Sequence, residues 1–216
     1  MKPPIDLRVY FVTDRRLCAR LGLVETVLSA VAGGATLVQL RDPDAKGRDM
    51  LEMARALVAA LAPFNVPLIV NDRPDIARAA GAAGVHVGQD DAPAEVARAI
   101  MGPDAVIGLS ITDPSQIADT PDDVVDHLGV GPVFGGGVKT DAKPAIGLDG
   151  LRACVAATRK PVVAIGGVTL ANARDCVAAG AAGVAVVSAI AAQTDPGLAA
   201  RELLRAVDEA LVRRRM

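Results

Sequence analysis

Short apolar runs rich in Val, Ile and Leu recur along the whole chain, and most stop abruptly on charged or amide residues. They fall at 8–12, 37–41, 67–71, 84–88, 106–110, 126–131, 162–165 and 183–187. Their length and β-branched content predict strands. Between them, apolar positions return at the spacing of one helix face, which predicts helices near 23–32, 47–61, 75–80, 93–100, 113–118, 149–158, 171–179 and 196–213. Asp75, Asp113 and Asp149 fit as N-caps or first-turn acids, and Pro74, Pro93, Pro114 and Pro196 suit helix starts.

Three junctions resemble one another: GGATLVQLR (33–41), GAAGVHVGQ (81–89) and GAAGVAVVS (180–188). In each, glycine stops a helix, a short turn of small residues follows, and a β-branched strand begins. Their spacing is uneven, so they are αβ junctions rather than a solenoid repeat. Eight strand–helix units predict a single (β/α)8 TIM barrel over residues 1–216. The competing doubly wound sheet is disfavoured, because the turn after the first strand (VTDRRLCARLG) carries no GxGxxG and no linker interrupts the chain.

Composition sharpens this picture. Hydrophobic residues make up 51% of the chain but aromatics only 2%, so Val, Ile, Leu and Ala must fill the core, as buried parallel strands allow. A net charge of −2 supplies no basic field for nucleic acid or membrane surfaces. No apolar run approaches the roughly 18 residues of a membrane span, and the N-terminus lacks the apolar region of a signal peptide. Cys18, Cys154 and Cys176 show no CxxC spacing, which argues against disulfides and zinc and points to a reducing cytoplasm. The expected partners are therefore small molecules, with homo-oligomerisation left open.

In a barrel, chemistry sits where the strands end. Those positions hold Gln39 and Arg41, Asn71 and Asp72, Gln89 to Asp91, Ser110, Lys139, Gly166 and Gly167, and Ser188. PLIVND (67–72) and VHVGQDD (85–91) both finish on carboxylates. Solvated loop acids are the plain reading. The sharper one follows from neighbouring strands lying about 4.8 Å apart: Asp72 and Asp91 would repel unless a cation such as Mg2+ joined them. Arg41, Asn71 and Lys139 would add phosphate-binding groups at the same rim, and Asp90 would point outward. IGG (165–167) exposes backbone N–H groups, and with Ser188 it forms a candidate phosphate site. Lys139 follows three glycines and reads as a phosphate clamp, against a solvated surface lysine or a Schiff-base lysine. His86 and His127 read as strand residues satisfied locally, without a catalytic role.

QLR (39–41), VND (70–72), HVGQDD (86–91), GLS (108–110), GVGPVF (129–134), AIGG (164–167) and VVSAI (186–190) together resemble the thiamine phosphate synthases. The resemblance implies a Mg2+-dependent transferase that joins hydroxymethylpyrimidine diphosphate to thiazole phosphate and releases pyrophosphate. It implies Asp72 and Asp91 as metal ligands, and Arg41, Asn71 and Lys139 on the diphosphate. Gln39 and Ser110 would lie at the pyrimidine, and Gly166, Gly167, Val187 and Ser188 at the thiazole phosphate. Arg41, Ser110 and Lys139 would be the catalytic set. The related alternatives are a thiazole tautomerase-like or aldolase-like barrel, or a weakened binder of thiamine precursors. The chain departs from the family twice at diphosphate positions: Pro43 replaces a usual lysine, and GGGVK (135–139) replaces a hydroxyl-bearing PTxTK-like loop.

Overall fold

A strand buried on both faces needs apolar residues at every position, and β1 (Val9–Val12) is buried throughout. Its side chains alternate between two separate cores. Tyr10 and Val12 join Leu37, Ile69, Val106 and Val163 inside the barrel, whereas Val9 and Phe11 pack outward against the helices. The computed structural model describes residues 5–136 and 143–215. Seven more strands repeat this plan: β2 (Leu37–Leu40), β3 (Leu68–Asn71), β4 (Gly84–Val87), β5 (Val106–Ile111), β6 (His127–Val130), β7 (Val162–Ile165) and β8 (Gly183–Val186). All pair in parallel in chain order, and β8 returns to β1, so the barrel is closed.

The helices cover the outside: α1 (Arg15–Cys18), α2 (Leu23–Gly33), α3 (Gly47–Leu61), α4 (Pro74–Ala80), α5 (Ala94–Met101), α6 (Gly147–Ala157), α7 (Ala173–Ala178), α8 (Ser188–Ala191) and α9 (Pro196–Arg215). The eight expected strands are all present, with ends shifted by a residue or so. Gly34 and Gly81 cap α2 and α4 in the left-handed conformation, with φ of +116° and +72°, as the repeated junctions anticipate.

The expected helix at 113–118 is instead a 3-10 turn, Pro114–Ile117. Asp113 and Gln116 form a reciprocal capping box that starts the turn, and Pro121, four residues past its end, leaves little chain for a second turn. Three short elements were not expected: α1, α8 and a 3-10 turn at Ala62–Phe64. At three or four residues they are too brief to show a helical period. Among the described residues, no helix is long and apolar enough to cross a membrane.

Candidate active site at the barrel mouth

The β1 and β2 ends are stitched together at the rim. Thr13, itself buried, accepts a hydrogen bond from the Arg41 N–H through its hydroxyl at 3.1 Å. One residue on, the Asp42 carboxylate is almost wholly buried and meets the Arg15 guanidinium at 3.5 Å. Arg41 thus leaves a strand end fixed on both sides, with its own side chain half-buried. Gln39 points into the lumen, 4% exposed, and donates through Nε2 to the Tyr10 hydroxyl at 2.7 Å. Pro43 is exposed in this loop, and Lys46 is exposed at the start of α3.

Asp72 ends β3 in the left-handed region at φ +60°, a conformation that short Asp and Asn side chains tolerate. Its N–H donates to the His86 carbonyl at 2.8 Å, tying it to β4. Its carboxylate accepts from Asn71 Nδ2 at 2.5 Å. Asp91, on the next loop, accepts through Oδ2 from the Gly88 N–H at 2.8 Å. The two acids therefore extend from adjacent strands, Asp72 oriented by Asn71 and Asp91 by the Gly88 N–H. Gln89 crosses to β5 and donates to the Ser110 carbonyl at 2.7 Å, while Asp90 is exposed.

No group of three or more His, Cys, Asp or Glu side chains stands ready for a metal among the described residues. A cation at this rim would draw on two carboxylates, with water and substrate oxygens completing its shell. That all-oxygen, carboxylate-poor donor set fits Mg2+, which keeps waters and takes phosphate oxygens, better than it fits a fully caged metal.

Loops 6 and 7 leave the barrel as a pair. Val133 N–H donates to the Ile165 carbonyl and Phe134 N–H to the Gly166 carbonyl, both at 2.9 Å, extending the strand pairing past the rim. Gly166 and Gly167 have φ of +87° and +66°, which a Cβ would strain. A Cβ on Gly167 would also lie 2.6 Å from the Gly135 carbonyl oxygen and 2.7 Å from that of Phe134. Asn172 braces the turn, its Nδ2 donating to the Gly167 carbonyl at 3.1 Å and its Oδ1 accepting from Thr169 N–H at 2.7 Å. Val187 is half-buried after β8, and exposed Ser188 opens α8. Lys139 lies outside the described residues.

The two histidines fare differently. His86 is a strand residue satisfied locally, as expected, and its partner is the Ser110 hydroxyl at the mouth, 2.9 Å from Nε2. His127 is fully buried in the lumen, and neither ring nitrogen meets a hydrogen-bond partner among the described residues, so the expected local satisfaction is not found there. Burial pushes its pKa down to about 4, against a smaller upward pull from Asp126, and keeps the ring neutral. The signal for this arrangement was present in the opposing glycines. A Cβ on Gly108 would meet His127 at 2.6 Å, and one on Gly129 would meet His86 at 2.9 Å.

A family model described as thiamine monophosphate synthase matches residues 9–190, most of the chain. The chain belongs to the thiamine monophosphate synthase family. A thiamine-phosphate synthase of Xanthobacter autotrophicus is 55% identical over 96% of this chain and 98% of its own. The one from Azorhizobium caulinodans is 52% identical over 94% and 96%. The solved thiamine phosphate pyrophosphorylase of Pyrococcus furiosus superposes with a TM-score of 0.87 at 39% identity, covering 95% of this chain and 98% of that one. A structure titled native KDPGal shares the barrel at a TM-score of 0.72 but only 18% identity, which speaks to fold alone. Synthase-family membership thus extends over the strand ends that make up the mouth.

Proposed function

We propose that this protein is a thiamine phosphate synthase, joining hydroxymethylpyrimidine diphosphate to thiazole phosphate with release of pyrophosphate. The observation that carries the reading is near-full-length identity of 55% to a chain of that name. The mouth has chemistry suited to it. Asp72 and Asp91 would hold Mg2+, and Arg41, Asn71 and Lys139 would hold the diphosphate. Gln39 and Ser110 face the pyrimidine, and the Gly166–Gly167 turn with Val187 and Ser188 takes the thiazole phosphate.

In the reaction, the bond between the pyrimidine methylene carbon and the diphosphate oxygen breaks, and its electron pair leaves with the diphosphate. The pyrimidine ring delocalises the resulting positive charge. The thiazole nitrogen lone pair then forms the new C–N bond, with no proton gained or lost. Bound Mg2+ supplies Lewis-acid stabilisation of the charge growing on the leaving group. Arg41 and Lys139 add fixed positive charge there, while Ser110 and Gln39 hold the ring in line for attack. No protein nucleophile is required.

The direct test is an assay with both substrates, with and without Mg2+, reading thiamine phosphate. Product that depends on both substrates and on the metal is expected. None at saturating concentrations would remove the reading.

A further inference from the structure

Five lumen side chains form a continuous floor beneath the mouth. Gln39 donates to the Tyr10 hydroxyl at 2.7 Å. The Tyr10 ring stands edge-on to His127, with centroids 5.9 Å apart at 66°. His127 lies against the His86 ring at 5.6 Å and 41°. His86 Nε2 reaches the Ser110 hydroxyl at 2.9 Å. The two ends of this row, Gln39 and Ser110, are the residues assigned above to the pyrimidine, and its middle is a histidine the reaction does not use.

A buried imidazole without partners is an expensive choice where a purely apolar side chain would fill the space. Its neighbours are built around it, since Gly108 has no room for even a methyl group beside the His127 ring. With no protein partner for its N–H among the described residues, the ring contributes its flat shape and its position between two other rings. Because it stays neutral, it also adds no positive charge beneath a pyrimidine that becomes cationic as diphosphate departs.

We propose that His127 is a positioning residue for the pyrimidine half-site, acting as a rigid spacer between Tyr10 and His86 that fixes Gln39 on one side and Ser110 on the other. It touches no substrate itself. Through Tyr10 it sets which end of the Gln39 carboxamide faces the mouth, because the amide NH2 is committed to the phenol and the carbonyl oxygen is turned away from it. Through His86 it holds the Ser110 hydroxyl. The thiazole phosphate site, on loops 7 and 8, is outside this row.

The inference rests on the synthase reading, and the experiment separates the two. Wild type, His127→Ala, His127→Phe and Tyr10→Phe are compared by steady-state kinetics and by calorimetric titration with hydroxymethylpyrimidine diphosphate. His127→Ala should raise the pyrimidine diphosphate KM and Kd about tenfold, the scale of one lost oriented contact, with the thiazole phosphate KM unchanged. His127→Phe, which keeps a flat ring, should bring both values back toward wild type. Tyr10→Phe keeps the volume and removes the Gln39 acceptor, so it should shift the same constants severalfold even if His127→Ala does not fold. A merely structural role would instead lower stability or the active fraction and leave both KM values alone. That outcome, or equal shifts for both substrates, overturns the proposal. A wild type that neither binds the diphosphate nor makes product would overturn the synthase reading, and this inference with it.

Discussion

The His127 imidazole makes folding sensitive to pH in a defined window. Its pKa is lowered by burial to about 4, whereas in the unfolded chain it should titrate near the ordinary value of about 6.5. Above that value both states are neutral and the folded state bears no penalty. As pH falls from about 6.5 towards 4, the unfolded chain takes up a proton that the folded chain refuses, and stability falls by up to roughly 3 kcal/mol. Urea unfolding at pH 7 and pH 4.5 should show this loss in the wild type. His127→Phe should show a smaller one, the carboxylates contributing equally to both proteins. The acids at the rim make a second expectation. Asp72→Asn and Asp91→Asn should each fold normally yet reduce turnover about a hundredfold or more, the scale of losing a charge-stabilising metal contact. Circular dichroism and a Mg2+ titration of activity would check both halves, and a fully active double variant would return the pair to the role of solvated loop acids.

Helix packing exposes a different kind of constraint. Gly33 ends α2 against the first turn of α9, and a Cβ there would overlap the Gly197 carbonyl oxygen. Alanine normally improves a helix by about 1 kcal/mol over glycine. Backbone overlap of this kind cannot be relieved by turning a side chain, and overpacking typically costs about 1–3 kcal/mol. The overlap should win, so Gly33→Ala is expected to lower the urea midpoint, with secondary structure intact. Legibility at this scale followed length and punctuation. The strands could be read because each is a β-branched run bounded by glycine, proline or acids, and α3 and α9 because they are long enough to show a period. Residues 113–118 mimicked a helix start correctly and a helix wrongly: Asp113, Pro114 and Gln116 do begin a turn with a capping box, but Pro121 soon after leaves little chain to extend it. His127 could be placed on a strand, but its surroundings could not be read, because nothing in a single strand reveals that Tyr10 and His86 from other strands lie beside it.

At the scale of the whole molecule, closure of the barrel was legible from the count of eight units, and the rim residues followed from knowing where such strands end. What sequence order hides is which loops lean on each other. Asp72 and Asp91 could be paired because their strands are consecutive, but the contact of Gly167 with Phe134 and Gly135 comes from backbone geometry that composition does not encode. This changes what substitution in the two loops proposed to take the phosphates should do. Ser188→Ala removes a hydroxyl from an exposed position and should weaken thiazole phosphate binding about threefold to tenfold, leaving diphosphate affinity as it was. Gly167→Val must displace the residues that begin the glycine-rich loop, so separate titrations should show both substrates binding more weakly. Loops 6 and 7 are two faces of one wall, joined by the Val133 and Phe134 hydrogen bonds. Anyone re-engineering this chain for altered pyrimidine diphosphates by varying Gly135 and Gly136 should therefore screen against both co-substrates at once, because selection on one will be inherited as drift in the other.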